Sequence, residues 1–471
     1  MVSTKLEKKC FFHIFYLLLY VEMCYNLLRG VNMRPLIMII CKTIGFVLKK
    51  LGRGSVYPGT LALKMDDRIL NYFKMPEITI CVTGTTGKTS ISGTLTEIYK
   101  NAGYKVGHNS KGSNLRLGVL TCLIENSNIF GKIKSDVLVL EVDERYIKHV
   151  FKTIKPNYFI INNLSRDQLA RNGHFDIVWD DINANINKNV HLILNADDPM
   201  ITKFSINHKG KTTFYGLSKT KYSKKNNDMN NLDLLYCPKC NKKLKFDYFH
   251  YGNLGSYECP SCDFKRTTPN YEAKLIDDNK FIVDNVEIKM SNNALYNVYN
   301  LLACYVTAVT SGVSKEKIVD TLNNLSLKIK RLDVVKLDDK DCVLLLSKNE
   351  TPISYNQSLE YVKKQLGKKT VVVGFDRVSG RYNLKDLSWL WDINFELLND
   401  DSINKIICVG NFANDIAVRL KYADIDSKKI VVCISSSEML ETVRKYALDT
   451  TYCMLYFDVE KTFKKLLKQE G

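Results

Sequence analysis

The segment that most constrains this chain is Ile78 to Ser90, "ITICVTGTTGKTS". Its first seven residues form an apolar, largely β-branched run closed by Gly84, the composition of a strand buried on both faces of a parallel sheet. The residues after it, "KTSISGTLTEIYKNAG", carry Leu95, Ile98 and Tyr99 at helical spacing, with Gly103 as a stop. A glycine-rich turn between such a strand and helix leaves backbone N–H groups unpaired at the positive end of the helix, where they can cradle phosphate oxygens. Lys88 can reach outer phosphates, and the Thr89 hydroxyl suits Mg²⁺. The turn is shorter than the common phosphate loop: Val82 stands where that loop has its first glycine. These features predict ATP binding at Gly84, Thr85, Thr86, Gly87, Lys88 and Thr89.

A second apolar strand pattern, "VLVLEVDE", ends in Glu141, where a Mg²⁺-directed carboxylate belongs in such a site. Asp143 and Glu144 are the alternatives, and either could instead be a solvated turn charge. Further strand patterns at "PNYFIINNL" and "NVHLILNADD" alternate with helical ones, which predicts a doubly wound α/β domain. "ALYNVYNLLACYVTAVTSG" (Ala294 to Gly312) predicts a long helix. Beyond Arg331, four more strand patterns, from "DCVLLLS" to "KKIVVCIS", predict a second α/β unit. The expected division is an N-terminal extension over 1–32, a lead-in over 33–75, an ATP-binding domain over 76–330 and a C-terminal domain over 331–471.

At 471 residues, with 45% apolar and 25% charged residues, the chain has the make-up of a globular protein of two or three domains. The net charge of +18 either spreads over solvated faces or meets an acidic partner such as a nucleotide or an anionic membrane. Residues 11–28 are apolar after a basic start, but His13, Glu22 and Asn26 interrupt them. The uninterrupted stretch is far below the ~20 residues that span a bilayer. Met33 could itself be a start, so 1–32 is expected to be an upstream extension or an interfacial helix.

Fourteen cysteines are scattered along the chain, and most lie singly in apolar runs, as buried, reduced thiols of a cytosolic protein do. Four differ. "CPKC" (Cys237, Cys240) and "CPSC" (Cys259, Cys262) are separated by 18 residues, and two such turns can complete a tetrahedral, structural Zn²⁺ site. This places a zinc ribbon at about 234–266. The neighbouring "KKLKFDYFHYG" interleaves basic and aromatic residues, so an ATP-dependent nucleic-acid protein is one alternative.

"TGTTGKT" (Thr83 to Thr89) resembles the shortened loop of the Mur ligase family. "NNLSRDQLARNGHFD" (Asn162 to Asp176), "LNADDP" (Leu194 to Pro199) and "YNVYNLLA" (Tyr296 to Ala303) are similar to that family's blocks in the same order. The resemblance implies a ligase that activates a carboxylate with ATP and Mg²⁺, with Asn297, Asn300 and Arg331 around the adenine and the domain boundary. With the ribbon, which ordinary members lack, it points to the amidating branch, the synthetase subunits of lipid II isoglutaminyl synthase. The implied partners are a class I glutamine amidotransferase subunit and lipid II, at the inner face of the membrane and without nucleic acid. An amino-acid ligase of the Mur or folylpolyglutamate type is the other alternative.

Three C-terminal blocks, "LSKNETPISYNQSL", "LKDLSWLWDINFE" and "GNFANDIAVRLKYA", resemble that branch as well. In it, an aspartate of the middle block completes the partner's glutaminase triad, which implies Asp386, with Asp392 as the alternative. Cys81, buried in a strand, is a poor nucleophile, so the glutaminase must reside elsewhere. The sequence departs from the family at "KNETP" (family "KNPAG") and "RYNLKD" (family "DGRD"). In addition, "ARNGHFD" stands where the family usually reads "DRYGEID".

Overall fold

The computed structural model describes residues 33–50, 56–109, 114–164, 175–227, 236–290, 294–328, 333–379 without 346, 348 and 350, and 385–470 without 449. Residues 1–32, Arg331, Glu350 and 381–384 lie outside these, as does all of "SRDQLARNGH".

The larger sheet is built around β1 (Ile78–Thr83). Its other members are β2 (Val106–His108), β3 (Val137–Glu141), β4 (Tyr158–Ile161), β5 (His191–Asn195), β6 (Thr212–Leu217), β9 (Tyr271–Asp277), β10 (Lys280–Val283) and β11 (Val286–Lys289). They lie in the order β11-β10-β9-β6-β5-β4-β1-β3-β2. Every pairing from β2 through β9 is parallel, and the β9-β10-β11 edge is antiparallel. β7 (Lys245–Tyr251) and β8 (Leu254–Glu258) form a separate hairpin.

Residues of β1 alternate between two cores, as the two-residue period of a strand requires. Cys81, Leu138, Leu140 and Phe159 face one core with the helices α1 (Arg34–Lys50), α2 (Tyr57–Met65) and α4 (Arg116–Asn126). Ile80, Val82, Val137 and Val139 face the other, with α3 (Lys88–Asn101), α5 (Leu295–Thr310) and α6 (Lys315–Lys328). The expected face of α3 is the buried one: Leu95, Ile98 and Tyr99 are all inaccessible. Truncating a side chain such as Leu95 to alanine at this depth costs about 2–5 kcal/mol.

The second sheet has the order β12-β13-β17-β14-β15-β16. Its strands are β12 (Asp333–Leu337), β13 (Lys340–Leu344), β14 (Lys369–Gly374), β15 (Ile403–Val409), β16 (Ile430–Cys433) and β17 (Thr450–Leu455). Only the β12–β13 pairing is antiparallel. The four expected strand patterns are β13, β14, β15 and β16; β12 and β17 were not anticipated. This sheet carries α7 (Pro352–Lys364) and α8 (Ala413–Lys421).

Outside the ribbon, every described cysteine is buried and free. Burial pushes the Cys81 thiol far above its ordinary pKa, which keeps it protonated and unreactive.

Candidate functional site

The loop Gly84–Lys88 leaves the carboxyl end of β1. There the chain, having placed β2 and β3 on one side of β1, crosses to place β4 on the other. Such a switch point opens a crevice at the strand ends, where doubly wound folds take their ligands.

The loop's shape rests on two glycines. Gly84 has φ +138° and Gly87 has φ +82°, the left-handed region that side chains resist. A Cβ on Gly84 would fall 2.9 Å from the Asn163 carbonyl oxygen. One on Gly87 would fall 2.6 Å from Asn162 Nδ2 and closer still to Asn300 Oδ1. Asparagines brace the loop from the β4 side. The Thr85 N–H donates to the Asn163 carbonyl at 2.9 Å and the Thr86 N–H to Asn163 Oδ1 at 2.9 Å. Asn162 Nδ2 donates to the Thr86 carbonyl at 3.0 Å and to Asn300 Oδ1 at 3.1 Å. Gly87 immediately precedes α3, so the helix starts at Lys88 with its positive end toward the loop.

Lys88 Nζ donates to the Gly84 carbonyl and pairs with Glu144 Oε2 at 3.0 Å. Thr89 is exposed on the first turn of α3. Glu141 pairs in register with Val82 and is only 2% exposed. Its Oε1 accepts from Asn114 Nδ2 at 3.0 Å, while Asn109 clamps its backbone at 2.7 and 2.8 Å. Asp143 and Glu144, the alternatives to Glu141, are also buried, so neither is a solvated turn charge. Asp143 accepts from the Arg145 N–H and caps a short helix, whereas Glu144 serves Lys88. One turn before Asn300 on α5, Asn297 Nδ2 is buried without a hydrogen-bond partner among the described residues.

These residues fit a nucleotide. The glycine cradle and the lysine stand together at the end of β1, and Glu141 with Thr89 offers the hard oxygen ligands that Mg²⁺ takes. Sequence reasoning missed Asn109, Asn114 and Asn163 as braces. The only signal was the "NN" that closes the β4 pattern.

The four ribbon cysteines come together. Their sulfur atoms all lie within 4.8 Å of one another, with Cys237–Cys262 at 3.5 Å and Cys240–Cys259 at 3.4 Å. Sulfurs of a tetrahedral site with ~2.3 Å Zn–S bonds stand about 3.8 Å apart. Each turn aims a backbone N–H at its first sulfur, Lys239 at Cys237 and Ser261 at Cys259, both at 3.4 Å. The donor set is closed and all-sulfur, which fits a structural zinc ion. Leu244, Tyr257 and Phe264 pack beside it.

The C-terminal tryptophan block divides by depth. Trp389 is buried against Tyr355 and Phe375, while Trp391 is half exposed against Tyr422. Arg419 of α8 ties the block down, donating to the Ile393 carbonyl at 2.7 Å and to Glu396 Oε1 at 2.9 Å. Asp386 is exposed and accepts the Ser388 N–H at 2.9 Å. Asp392 is half-buried, and its carbonyl accepts from Asn356.

Comparison with known proteins agrees with this architecture. Residues 82–308 match the Mur ligase middle domain, and residues 346–457 match the MurT ligase C-terminal region. The chain is 30% identical over 386 residues to the lipid II isoglutaminyl synthase (glutamine-hydrolyzing) subunit MurT of Staphylococcus aureus strain COL, spanning 80% of this chain and 85% of that protein. It is 29% identical to the Streptococcus pneumoniae R6 subunit of the same name, over 90% and 94% of the two chains. Among solved structures, a pseudomurein peptide ligase type C from Methanothermus fervidus superposes with a TM-score of 0.65 at 24% identity, over 86% of this chain and 81% of that one. The MurF ligase of Thermotoga maritima in complex with ADP gives 0.56 at 17%, over 88% and 85%.

Fold and site together define a Mur-type ATP-dependent ligase. Within that class, the chain belongs to the MurT family.

Proposed function

We propose that this chain is the synthetase subunit of a two-component enzyme that amidates the α-carboxylate of D-glutamate in the lipid II stem peptide to D-isoglutamine. The observation that carries the reading is the combination of a Mur-type phosphate loop, an inserted four-cysteine ribbon and a MurT-type C-terminal region in one chain.

ATP lies on Gly84, Thr85, Thr86, Gly87, Lys88 and Thr89, with Asn297 and Asn300 as the candidates for the adenine side; Arg331, the third candidate, lies outside the described residues. Mg²⁺, held by Thr89 and Glu141, would offset charge on the phosphates. Lys88 leaves Glu144 to meet the γ-phosphate, which passes to a substrate carboxylate oxygen and gives an acyl phosphate with release of ADP. Ammonia attacks that carbonyl carbon, loses a proton, and phosphate departs. A class I glutamine amidotransferase subunit supplies the ammonia. Asp386, or Asp392, orients the partner's catalytic histidine as the third member of its triad.

The substrate's lipid anchor sets the working place at the inner membrane face. Among the described residues no helix is long and apolar enough to cross a membrane. However, Leu36, Ile39 and Phe46 of α1 are exposed above Lys49 and Lys50, a combination suited to an anionic surface.

The second reading is a ligase that joins an amino acid to the activated carboxylate; the departures at "KNETP" and "RYNLKD" bear on substrate contact, while the ribbon and the C-terminal tryptophan block stand against that reading. The two part cleanly in one assay. With lipid II and ATP, ammonium salts should drive phosphate release by this chain alone under the first reading. Stimulation by an amino acid and not by ammonium would select the second.

A further inference from the structure

Asp197, in "LNADDP" just past β5, is wholly buried, and it joins two parts of the molecule that the reaction scheme leaves unconnected. Its Oδ1 accepts from Arg266 Nε at 2.6 Å, and its Oδ2 accepts from the Tyr299 hydroxyl at 2.7 Å. Arg266 stands four residues beyond Cys262, and its N–H donates to the Tyr257 carbonyl inside the ribbon at 2.8 Å. Tyr299 belongs to α5 and directly precedes Asn300, whose Oδ1 receives Asn162 Nδ2, the same group that holds the Thr86 carbonyl. One carboxylate thus ties the segment leaving the second cysteine turn to the helix that abuts the phosphate loop. Buried His250, 4.0 Å away, is not a competing cation. Burial lowers its pKa, and its Nε2 bonds the Leu217 carbonyl at 3.1 Å.

A buried carboxylate with one cation partner has little tolerance for partial displacement, because moving Arg266 away leaves the charge uncompensated. The position of Arg266 is in turn fixed by the cysteine cluster, since the Cys259 N–H donates to the Phe264 carbonyl at 2.7 Å, two residues earlier. We infer that Asp197 is a positioning residue that couples the cysteine cluster to the phosphate loop, so that metal binding in the ribbon and nucleotide binding on the loop reinforce each other. The inference rests on the assignment of ATP to this loop. Coupling of two binding equilibria is reciprocal: nucleotide must raise the affinity for metal by the factor by which metal tightens nucleotide.

The test uses the full zinc-loaded chain, a non-hydrolysable ATP analogue with Mg²⁺, and Tyr299→Phe, which removes one hydroxyl and keeps the ring. Analogue affinity is read by calorimetry, and zinc affinity by equilibrium competition with a chromogenic chelator. In the wild-type chain, saturating analogue should raise zinc affinity several-fold. In Tyr299→Phe, zinc content should be unchanged, analogue affinity should fall about 5-fold or more, and the gain in zinc affinity should vanish. Arg266→Lys, which keeps the charge but loses the fork, should fall between the two. Equal zinc affinity with and without analogue in the wild-type chain overturns the inference, and that measurement needs no variant. A Tyr299→Phe chain with lower thermal stability but wild-type analogue affinity also overturns it, reducing Asp197 to a purely structural role. Failure of the wild-type chain to bind the analogue at all would instead overturn the ATP assignment, and the inference with it.

Discussion

Lys88 Nζ and Glu144 Oε2 stand 3.0 Å apart, with side chains only 12% and 6% exposed. Before nucleotide arrives, the lysine's charge is therefore balanced by protein. Removing one partner of such a pair costs about 3–5 kcal/mol. Glu144→Gln should accordingly lower the melting temperature of the nucleotide-free chain, and an ATP analogue should raise it by more than in the wild-type chain, because phosphate replaces the lost anion. An equal or smaller shift in the variant would show that Lys88 does not meet the phosphates.

Gly87→Ala tests the loop itself. The substitution forces a side chain into φ +82° and against Asn162 and Asn300, at a cost of about 1–3 kcal/mol from the backbone alone. Analogue affinity should fall by more than tenfold, while the far-ultraviolet circular dichroism of the folded chain is retained. Gly93, on the same helix with open space around its Cβ, is the control, and Gly93→Ala should bind nucleotide normally.

The ribbon predicts one zinc ion per chain. Cys240→Ser should lose it, as measured by elemental analysis, and should melt earlier, because metal affinity in a closed sulfur site is folding free energy. Full zinc retention in that variant would remove Cys240 from the ligand set.

His191 predicts an acid-sensitive step. Its ring is buried beside Thr213, with Nε2 2.7 Å from the hydroxyl. Burial, aided by Lys211 and His208, lowers its pKa from 6.5 to about 4. A folded-state pKa below the unfolded value means that the unfolded chain takes up the proton first. The stability from this group is therefore present above pH 6.5 and is lost as pH falls toward 4. Denaturation midpoints measured across that window should decline more steeply in the wild-type chain than in His191→Gln, whose amide can keep the Thr213 contact. Parallel declines would place the acid sensitivity elsewhere.

Much of this was legible in the sequence because it is local. The β1–loop–α3 unit and the two CxxC turns are each specified within a short window, and their geometry follows from glycine, lysine and cysteine placement. The alternation of β1 between two cores follows from its uninterrupted apolar run. What escaped is non-local. Asn163 and Asn109 are ordinary asparagines until the sheet brings β4 to the loop and the segment after β2 to Glu141. Glu144 reads as a surface charge until the chain turns it under Lys88. The edge strand β12 and the inner strand β17 were missed because the alternation in "DVVKL" is weak, and "TTYCML" is short and lacks flanking glycine or proline. Asp197 gave no sign of its link to Arg266, 69 residues away.

The activity proposed for this chain is the ATP-driven amidation of lipid II. The most direct measurement is mass spectrometry of lipid II after incubation with the chain, its co-purified glutamine amidotransferase subunit, ATP, Mg²⁺ and glutamine. The D-glutamate α-carboxyl should become an amide in step with phosphate release, and Lys88→Ala should abolish both. ATP hydrolysis by the pair with lipid II left unamidated would rule that activity out.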